Sequence, residues 1–468
     1  MTIDFTSYIQ NQKYFSVISE LAVERNEKIF IVGGYVRDLI LDRKRDEIDF
    51  LIIGNGPEFA RNLAKKLNVE KVNIFKNYGT AHFHYNNFDF EFVGARKESY
   101  QKSSRNPEIE VGTFHDDINR RDFTINTLAI SLNNENYGEI IDTFNGYQDI
   151  VDKTIRTPLN PFDTFNDDPL RIMRAFRFAS QLNFNVDLKI IEAAEKLAQR
   201  LNIVSQERIT DEFFKILKSE KPSIGLKLLQ QSKVMHVIFP EIANLAGVEQ
   251  KKEYHHKDVF LHTCEVVDNI SKVTDNVWLR FGALVHDIAK PQTKKFIDGI
   301  GWSFHGHEEL GARMMKKIFA KLKLPNSNLQ YVEKLIRLHL RPIALVSETV
   351  TDSAIRRLSA NAGEDLDDLI SLCRADITSK NPDKVTRYLK NYEIVMQKVK
   401  EVQEKDNLRA FQSPVKGEEI MKICNLKPSK QVGIIKHAIE EAILDGKIAN
   451  TYEEALKYLY EIKNKISN

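Results

Sequence analysis

Residues 29–53 read IFIVGGYVRDLILDRKRDEIDFLII, and this stretch decides the fold. Ile29–Val32 is a short β-branched and aromatic run of the kind that makes a buried strand. Gly33-Gly34 breaks it, Tyr35–Leu41 reads as the first turns of a helix, and Glu47–Ile53 is a second strand with acids at alternate positions. Side chains alternate across a strand, so Glu47 and Asp49 point to one face. Two carboxylates on one face repel unless a cation lies between them, and a pair of Mg²⁺ ions bridging a nucleotide's phosphates meets that need. Gly33 and Gly34 remove Cβ atoms where a triphosphate would approach amides at a helix start. An ordinary βαβ segment with a solvated acidic strand end fits the same residues. The glycine pair alone, or the Glu-x-Asp alone, favours that plainer reading.

GGYVRD, a short basic linker and then x-I-D-F together resemble the head of the class II tRNA nucleotidyltransferases, the CCA-adding enzymes and bacterial poly(A) polymerases. That family usually has Asp-x-Asp where this chain has Glu47-Ile48-Asp49, with Asp46 one place earlier. Glutamate ligates Mg²⁺ through oxygen, but its extra methylene moves the carboxylate, and Mg²⁺ demands near-octahedral geometry at about 2.1 Å. The resemblance implies Glu47 and Asp49 as Mg²⁺ ligands, Arg37 as a catalytic and nucleotide-contacting group, and Gly33 and Gly34 against the nucleotide.

The 468 residues are too many for one core and suggest roughly three or four domains. With the resemblance, the expected fold is α+β: a small mixed β-sheet nucleotidyltransferase head (1–155), an all-α neck (156–245), an HD body (246–380) and a helical tail (381–468). No apolar run approaches the ~20 residues of a membrane span, and MTIDFTSYIQNQ has neither the basic nor the apolar part of an export signal. Cys264, Cys373 and Cys424 are scattered without metal-type spacing, as in a reduced, cytoplasmic protein. A net charge of +2 announces no global field for nucleic acid, so an RNA site must be a local patch.

Residues 1–28 read as a leading helix with Phe15, Ile18, Leu21 and Ala22 at helical spacing; Glu58–Leu67 is helical, and Val72–Phe75, Thr80–Tyr85 and Phe88–Val93 are strand-like. Glu91 lies on the last of these. It is either a surface acid or, by the resemblance, a third carboxylate facing the metal pair. Polar Glu98–Asn119, with Ser103-Ser104 and Asn106-Pro107, reads as a mobile loop. In Arg120-Arg121-Asp122-Phe123-Thr124-Ile125-Asn126, the arginines offer fork-shaped donors to a triphosphate, while Asp122 and Asn126 can take ribose hydroxyls. A salt-bridged turn is the alternative, and the run resembles the family's second motif. Asp142–Asp149, DTFNGYQD, resembles a third motif with a structural role at the hinge between head and neck.

Asp167-Asp168-Pro169-Leu170-Arg171 opens a helix running through Phe178 to Leu182. Asp168 and Arg171 share a helix face, either as a capping ion pair or as acceptors and donors reading a base edge. The resemblance implies that this pair selects CTP and then ATP without a template, with Arg174 also at the nucleotide. Ile203–Ile209 resembles a further neck motif, with Ser205 as a helix cap.

A second chemistry begins near residue 250, where 7 of the 12 histidines fall between residues 255 and 339. His255-His256-Lys257-Asp258 precedes His262; then come His286-Asp287, His305, His307, His339 and Asp376. Imidazoles and carboxylates on neighbouring helices suit a divalent metal that activates water. The spacing resembles the HD phosphohydrolase superfamily, with HDIAK at its signature. The resemblance implies His262, His286, Asp287 and Asp376 at a first metal (Ni²⁺, Mn²⁺ or Mg²⁺), and His305 or His307 with His339 at a second. From Val385 the tail is helical with a seam at Tyr388, Tyr392, Val395, Val399 and Val402, followed by helices over Phe411–Lys427 and Gln431–Asp445. Lys427, Lys430 and Lys436 are either tRNA phosphate contacts or a solvated face.

The leading expectation is template-independent addition of C, C and A to the 3′ end of tRNA from CTP and ATP, with no membrane partner. The alternatives are a poly(A) polymerase with the same head, or an HD phosphohydrolase with a non-catalytic RNA-binding head.

Overall fold

The computed structural model describes residues 5–75, 79–99, 108–248, 258–298, 301–345, 351–379, 381–410, 413–445 and 447–466. They fall into two compact units, Met1–Leu340 with Glu364–Tyr388, and Arg341–Gly363 with Leu389–Asn468.

The first unit opens with nine strands: β1 (Lys28–Val32), β2 (Glu47–Ile53), β3 (Asn73–Phe75), β4 (Thr80–Tyr85), β5 (Phe88–Gly94), β6 (Arg96–Ser99), β7 (Glu108–Val111), β8 (Ala129–Ser131) and β9 (Ile140–Ile141). Seven make one mixed sheet in the order β3-β4-β5-β2-β1-β8-β9, while β6 and β7 form a separate hairpin. Only β2 and β5 run parallel within that sheet. On one face Phe50, Phe90 and Phe92 are fully buried. The helices Lys13–Glu24 and Gly56–Lys66 cover them, with Phe15 6.3 Å from Phe50 and Phe59 5.9 Å from Phe92. Each such ring contributes about 1.5–3 kcal/mol on burial, so this face fixes the sheet. The opposite face carries a smaller apolar patch, Phe30, Val32, Leu51, Ala95 and Ala129, where Phe114 packs on Phe30 at 4.6 Å. Beyond that patch it carries Glu47, Asp49 and Glu91.

Three expectations are corrected. The leading helix is two helices, Thr6–Gln10 and Lys13–Glu24. The polar run 98–119 is not a loop where it is described: β7 and the helix Phe114–Asn119 lie in it. That helix is specified by a reciprocal cap, Asp116 N–H donating to Thr113 Oγ1 and Thr113 N–H to Asp116 Oδ2, a signal that periodicity does not carry. Ser103, Ser104, Asn106 and Pro107 lie outside the described residues, as do His255, His256 and Lys257. In the tail the helix expected over Phe411–Lys427 spans only Gly417–Cys424, and Phe411 itself is outside the described residues.

The long helix Leu170–Leu182 packs beside Gln206–Leu217, tied to it by the buried pair Arg177 Nε–Glu212 Oε2 at 2.5 Å. Further on, the helices Val259–Ser271, Val277–Val285, His307–Lys321, Leu329–Leu338 and Leu366–Ala375 make an all-α core. The second unit is helical and has its own core of Val415, Ile420, Ile435, Ile439, Ala455 and Leu459. Of the expected seam, Tyr392, Val395, Val399 and Val402 are buried, while Tyr388 is half-buried. Among the described residues no helix is long and apolar enough to cross a membrane.

Candidate active sites

β2 and β5 bring three acids together. Asp49 is the register partner of Glu91, and oxygen atoms of Glu47, Asp49 and Glu91 lie within 4.8 Å of one another. Burial raises the carboxyl of Asp49 above the usual range, with Arg45 opposing and Glu47 adding to the effect. Glu91 is raised by burial, then by the charges of Asp49 and Glu47. Crowded carboxylates of this kind are stabilised by a divalent cation, so the residues fit the metal their spacing implied. The longer Glu47 side chain still reaches the group. Its Oε2 also accepts from Arg45 Nη2 at 2.6 Å.

Asp49 and Glu91 border a cleft of about 830 Å³ lined by twelve Lys and Arg and six Asp and Glu side chains. A chain of net charge +2 therefore concentrates a cationic field here. The glycine pair makes room for guanidinium groups: a Cβ on Gly33 would lie 2.9 Å from Arg121 Nη1, and one on Gly34 2.5 Å from Arg45 Nη1. Gly33 also has φ +78°, a conformation that other residues rarely adopt.

The RRDFTIN run folds as the salt-bridged turn its sequence allowed, placed beside the cleft. Arg120 and Arg121 grip the buried Asp117 from the end of Phe114–Asn119, so it is a salt-bridged turn; both also line the cleft. Asp122 and Asn126 are turned inward. Asp122 Oδ1 accepts from Asn126 Nδ2 at 2.9 Å, and its Oδ2 accepts from Arg174 Nε at 2.8 Å. Burial opposes ionisation of Asp122, but Arg174 and Asn126 outweigh it and pull the carboxyl down to about 2. Arg37 is buried, forks onto Asp38, donates to Asn126 Oδ1 at 2.7 Å, and lies 5.0 Å over the Phe178 ring. Asp168 and Arg171 both line the cleft. They make no ion pair with each other among the described residues. Asp168 Oδ1 accepts from Leu170 N at 3.1 Å, while Arg171 Nη2 donates to the Arg120 carbonyl at 2.6 Å.

The DTFNGYQD run is structural. Asp142 accepts from the amides of Gly146 and Tyr147 at 2.8 and 2.9 Å, and Asp149 ties Thr124 to Arg156. A Cβ on Gly146 would fall 2.2 Å from the Thr124 carbonyl oxygen, which ties this turn to the arginine run.

The histidine-rich helices build a second site. His262 is in the first turn of its helix, His307 starts one, and His286, His339 and Asp376 lie just past the ends of three others. His262, His286 and Asp376 form one group, and Asp287, His307 and His339 another. Asp287 joins them: its Oδ2 is 3.3 Å from His286 Nε2, and its Oδ1 is 3.3 Å from His307 Nε2. His286, His307 and His339 each direct Nδ1 at a backbone carbonyl, at 2.7, 2.8 and 2.6 Å. A carbonyl only accepts, so Nδ1 carries the proton and Nε2 presents its lone pair inward. His262 Nδ1 pairs with Thr378 Oγ1 at 2.8 Å. His262 Nε2 is 2.8 Å from Asp376 Oδ1, and His286 Nε2 lies 3.4 Å from that same oxygen and 3.3 Å from Asp287 Oδ2, so imidazole nitrogens and carboxylate oxygens converge on one point. This converging set of imidazoles and carboxylates fits a divalent metal. The structure selects His307 and leaves His305 exposed.

Several neighbours of these groups escaped the sequence reading: Arg45, Asp117, Arg177, Thr378, and Lys290, whose Nζ is 2.6 Å from Asp287 Oδ2. Asp117 was findable, since it precedes Arg120 and Arg121 by one helical turn.

Three family models match the chain: Poly A polymerase head domain over residues 29–156, probable RNA and SrmB-binding site of polymerase A over 183–245, and HD domain over 259–381. The multifunctional CCA protein of Psychromonas ingrahamii is 33% identical over 310 residues, 64% of this chain and 71% of that protein. The A-adding tRNA nucleotidyltransferase of Aquifex aeolicus is 34% identical over 277 residues, 58% of this chain but 32% of that protein. A CCA-adding enzyme in an apo form superposes with TM-score 0.63 at 22% identity, over 98% of this chain and 99% of that one, and shows the shared fold.

Proposed function

The chain belongs to the CCA-adding tRNA nucleotidyltransferase family, and from that premise we propose that it adds C, C and A to the 3′ end of tRNA from CTP and ATP in the cytoplasm. The observation that carries this is the triad Glu47, Asp49 and Glu91, of which Asp49 and Glu91 line a cationic cleft. These three would hold Mg²⁺, which supplies charge neutralisation to the triphosphate and lowers the pKa of the attacking hydroxyl. Arg120 and Arg121 provide fork-shaped donors for the phosphates at the end of their helix. Arg37 and Arg174 fix Asn126 and Asp122, so the wall of the nucleotide site is rigid before substrate arrives. Asp168 and Arg171 face the cleft with an acceptor and donors and would read the base edge. Gly33 and Gly34 leave room beside the backbone for the guanidinium groups of Arg121 and Arg45. The working parts are a head (1–155), a neck (156–245), an HD body (246–380) and a tail (381–468).

The HD body adds a second activity to this reading. His262, His286 and Asp376 with Asp287, His307 and His339 would hold two divalent ions, with Ni²⁺ or Mn²⁺ serving better than Mg²⁺ given the imidazoles. Bound metal supplies a water that ionises near neutral pH, and the buried carboxylate of Asp287 aligns the two groups. The substrates are a phosphomonoester or a 2′,3′-cyclic phosphate.

Incubation with tRNA lacking CCA, Mg²⁺ and each labelled NTP tests the first activity. CTP should label the bare tRNA and ATP the tRNA ending in CC. Labelling by ATP alone on bare tRNA would favour a poly(A) polymerase, and labelling by none would leave the HD body as the working part.

A further inference from the structure

The face of the sheet that carries the metal acids does not end at β5. Register continues it outward: Glu91 pairs with His82 on β4, and His82 with Asn73 on the edge strand β3. Phe75, two residues along, therefore points to the same face as the acids and away from the phenylalanine core. It is 50% exposed, whereas Phe83, Phe90 and Phe92 on the other face are at most 1% exposed. Its ring stacks on His82 with centroids 6.0 Å apart and planes at 21°, and His82 Nε2 is 3.4 Å from Asn73 Nδ2. These rings and the acids Glu47, Asp89 and Glu91 line a recess of about 160 Å³ together with Phe90.

The acids thus stand between two spaces. The arginine-lined cleft over β1 holds the triphosphate in the function proposed above, and this inference rests on that reading. Nucleotidyl transfer is in line: the 3′-hydroxyl oxygen bonds to the α-phosphorus, the bond from that phosphorus to the bridging oxygen breaks, pyrophosphate leaves, and the hydroxyl proton passes to solvent. The attacking strand must therefore enter from the side opposite the leaving group, which is the side of β4 and β3. β3 is two strand spacings from β5, roughly 10 Å, a span that a ribose and its base can bridge. Single-stranded RNA ends are held by stacking on aromatic rings, which tolerates any base.

We propose that Phe75, backed by His82, is the shelf on which the last base of the RNA primer stacks, so that its 3′-hydroxyl faces Asp49 and Glu91. Phe75 is a positioning residue for the primer and does not touch the incoming nucleotide. Base-independent stacking suits a site that must accept whichever base ends the tRNA and then C and C in turn.

Single-turnover addition to tRNA lacking CCA separates the possibilities. Phe75→Ala should raise the half-saturating tRNA concentration or slow addition by about tenfold, leave half-saturation by CTP unchanged, and be rescued by Phe75→Trp. Phe75→Leu, which keeps apolar bulk without a π face, should lose as much as Phe75→Ala. A primer with an abasic 3′-terminal nucleotide should show the same loss on wild-type protein and no further loss on Phe75→Ala. Wild-type kinetics in Phe75→Ala, or additive losses from the abasic primer and the substitution, would overturn the shelf while leaving the polymerase reading intact. A wild-type protein that adds no nucleotide would bring down both.

Discussion

Asp49 and Glu91 are register partners on the one parallel strand pair of the head sheet, 42 positions apart in sequence. In the proposed function, substituting either would remove a metal ligand that the remaining acids could not replace. Asp49→Ala should abolish nucleotide incorporation, and Glu91→Ala should lower it on the order of a hundredfold or more. Glu47→Asp should keep or raise activity, because it restores the shorter arm while Arg45 remains nearby. Full activity in Glu47→Ala, measured by labelled CTP incorporation, would remove Glu47 from the metal site.

Base choice should separate from metal binding. Arg171 is anchored on the Arg120 carbonyl and Asp168 on the Leu170 amide, so both are rigid at the cleft. Asp168→Ala or Arg171→Ala should cost on the order of 1–3 kcal/mol of discrimination among NTPs with little change in Mg²⁺ half-saturation. Competition between CTP and UTP reads this. Unchanged specificity would leave both residues as structural parts of the helix start.

How far the sequence reached can be judged from these same residues. Strand alternation placed Glu47 and Asp49 on one face, and motif resemblance joined the head to the histidine-rich body. Asn126 and Asp122 show where it stopped: their donors and acceptors are taken up by Arg37 and Arg174, which lie 89 and 52 positions away along the chain. Such distant pairings have no local signature. The choice between His305 and His307 had the same limit, because ligands at helix ends converge only once the helices pack. The two short arms of the polar run 98–119 were missed because a capping box and a hairpin leave no hydrophobic period.

The HD body should act apart from the head. Asp287→Ala should abolish metal-dependent hydrolysis of a 2′,3′-cyclic phosphate while nucleotide addition continues, and Asp49→Ala should do the reverse. In calorimetry, Mn²⁺ should raise the unfolding temperature of wild type and not of a His286→Ala, His307→Ala double variant, because the ion binds only the folded site. An equal rise in both would make the histidines structural.

Acid should loosen the nucleotide wall through Asp122. Its folded carboxyl is depressed to about 2 from 3.8, so its stabilisation is fully present above the unfolded pKa and is lost as pH falls through 4 towards 2. The pair contributes about 2 kcal/mol at most, less some screening because Arg174 is partly exposed. Asp122→Asn should lower stability at neutral pH and flatten the stability curve between pH 4 and pH 2. A curve parallel to wild type in urea titrations would contradict this pairing.

The most direct measurement is the sequence of the 3′ ends that purified protein makes on a tRNA transcript lacking CCA, supplied with Mg²⁺, CTP and ATP together. The ends should read CCA and stop there, with Asp49→Ala leaving the transcript unextended. Tails of repeated A, addition of A alone, or extension by the Asp49→Ala variant would contradict the account.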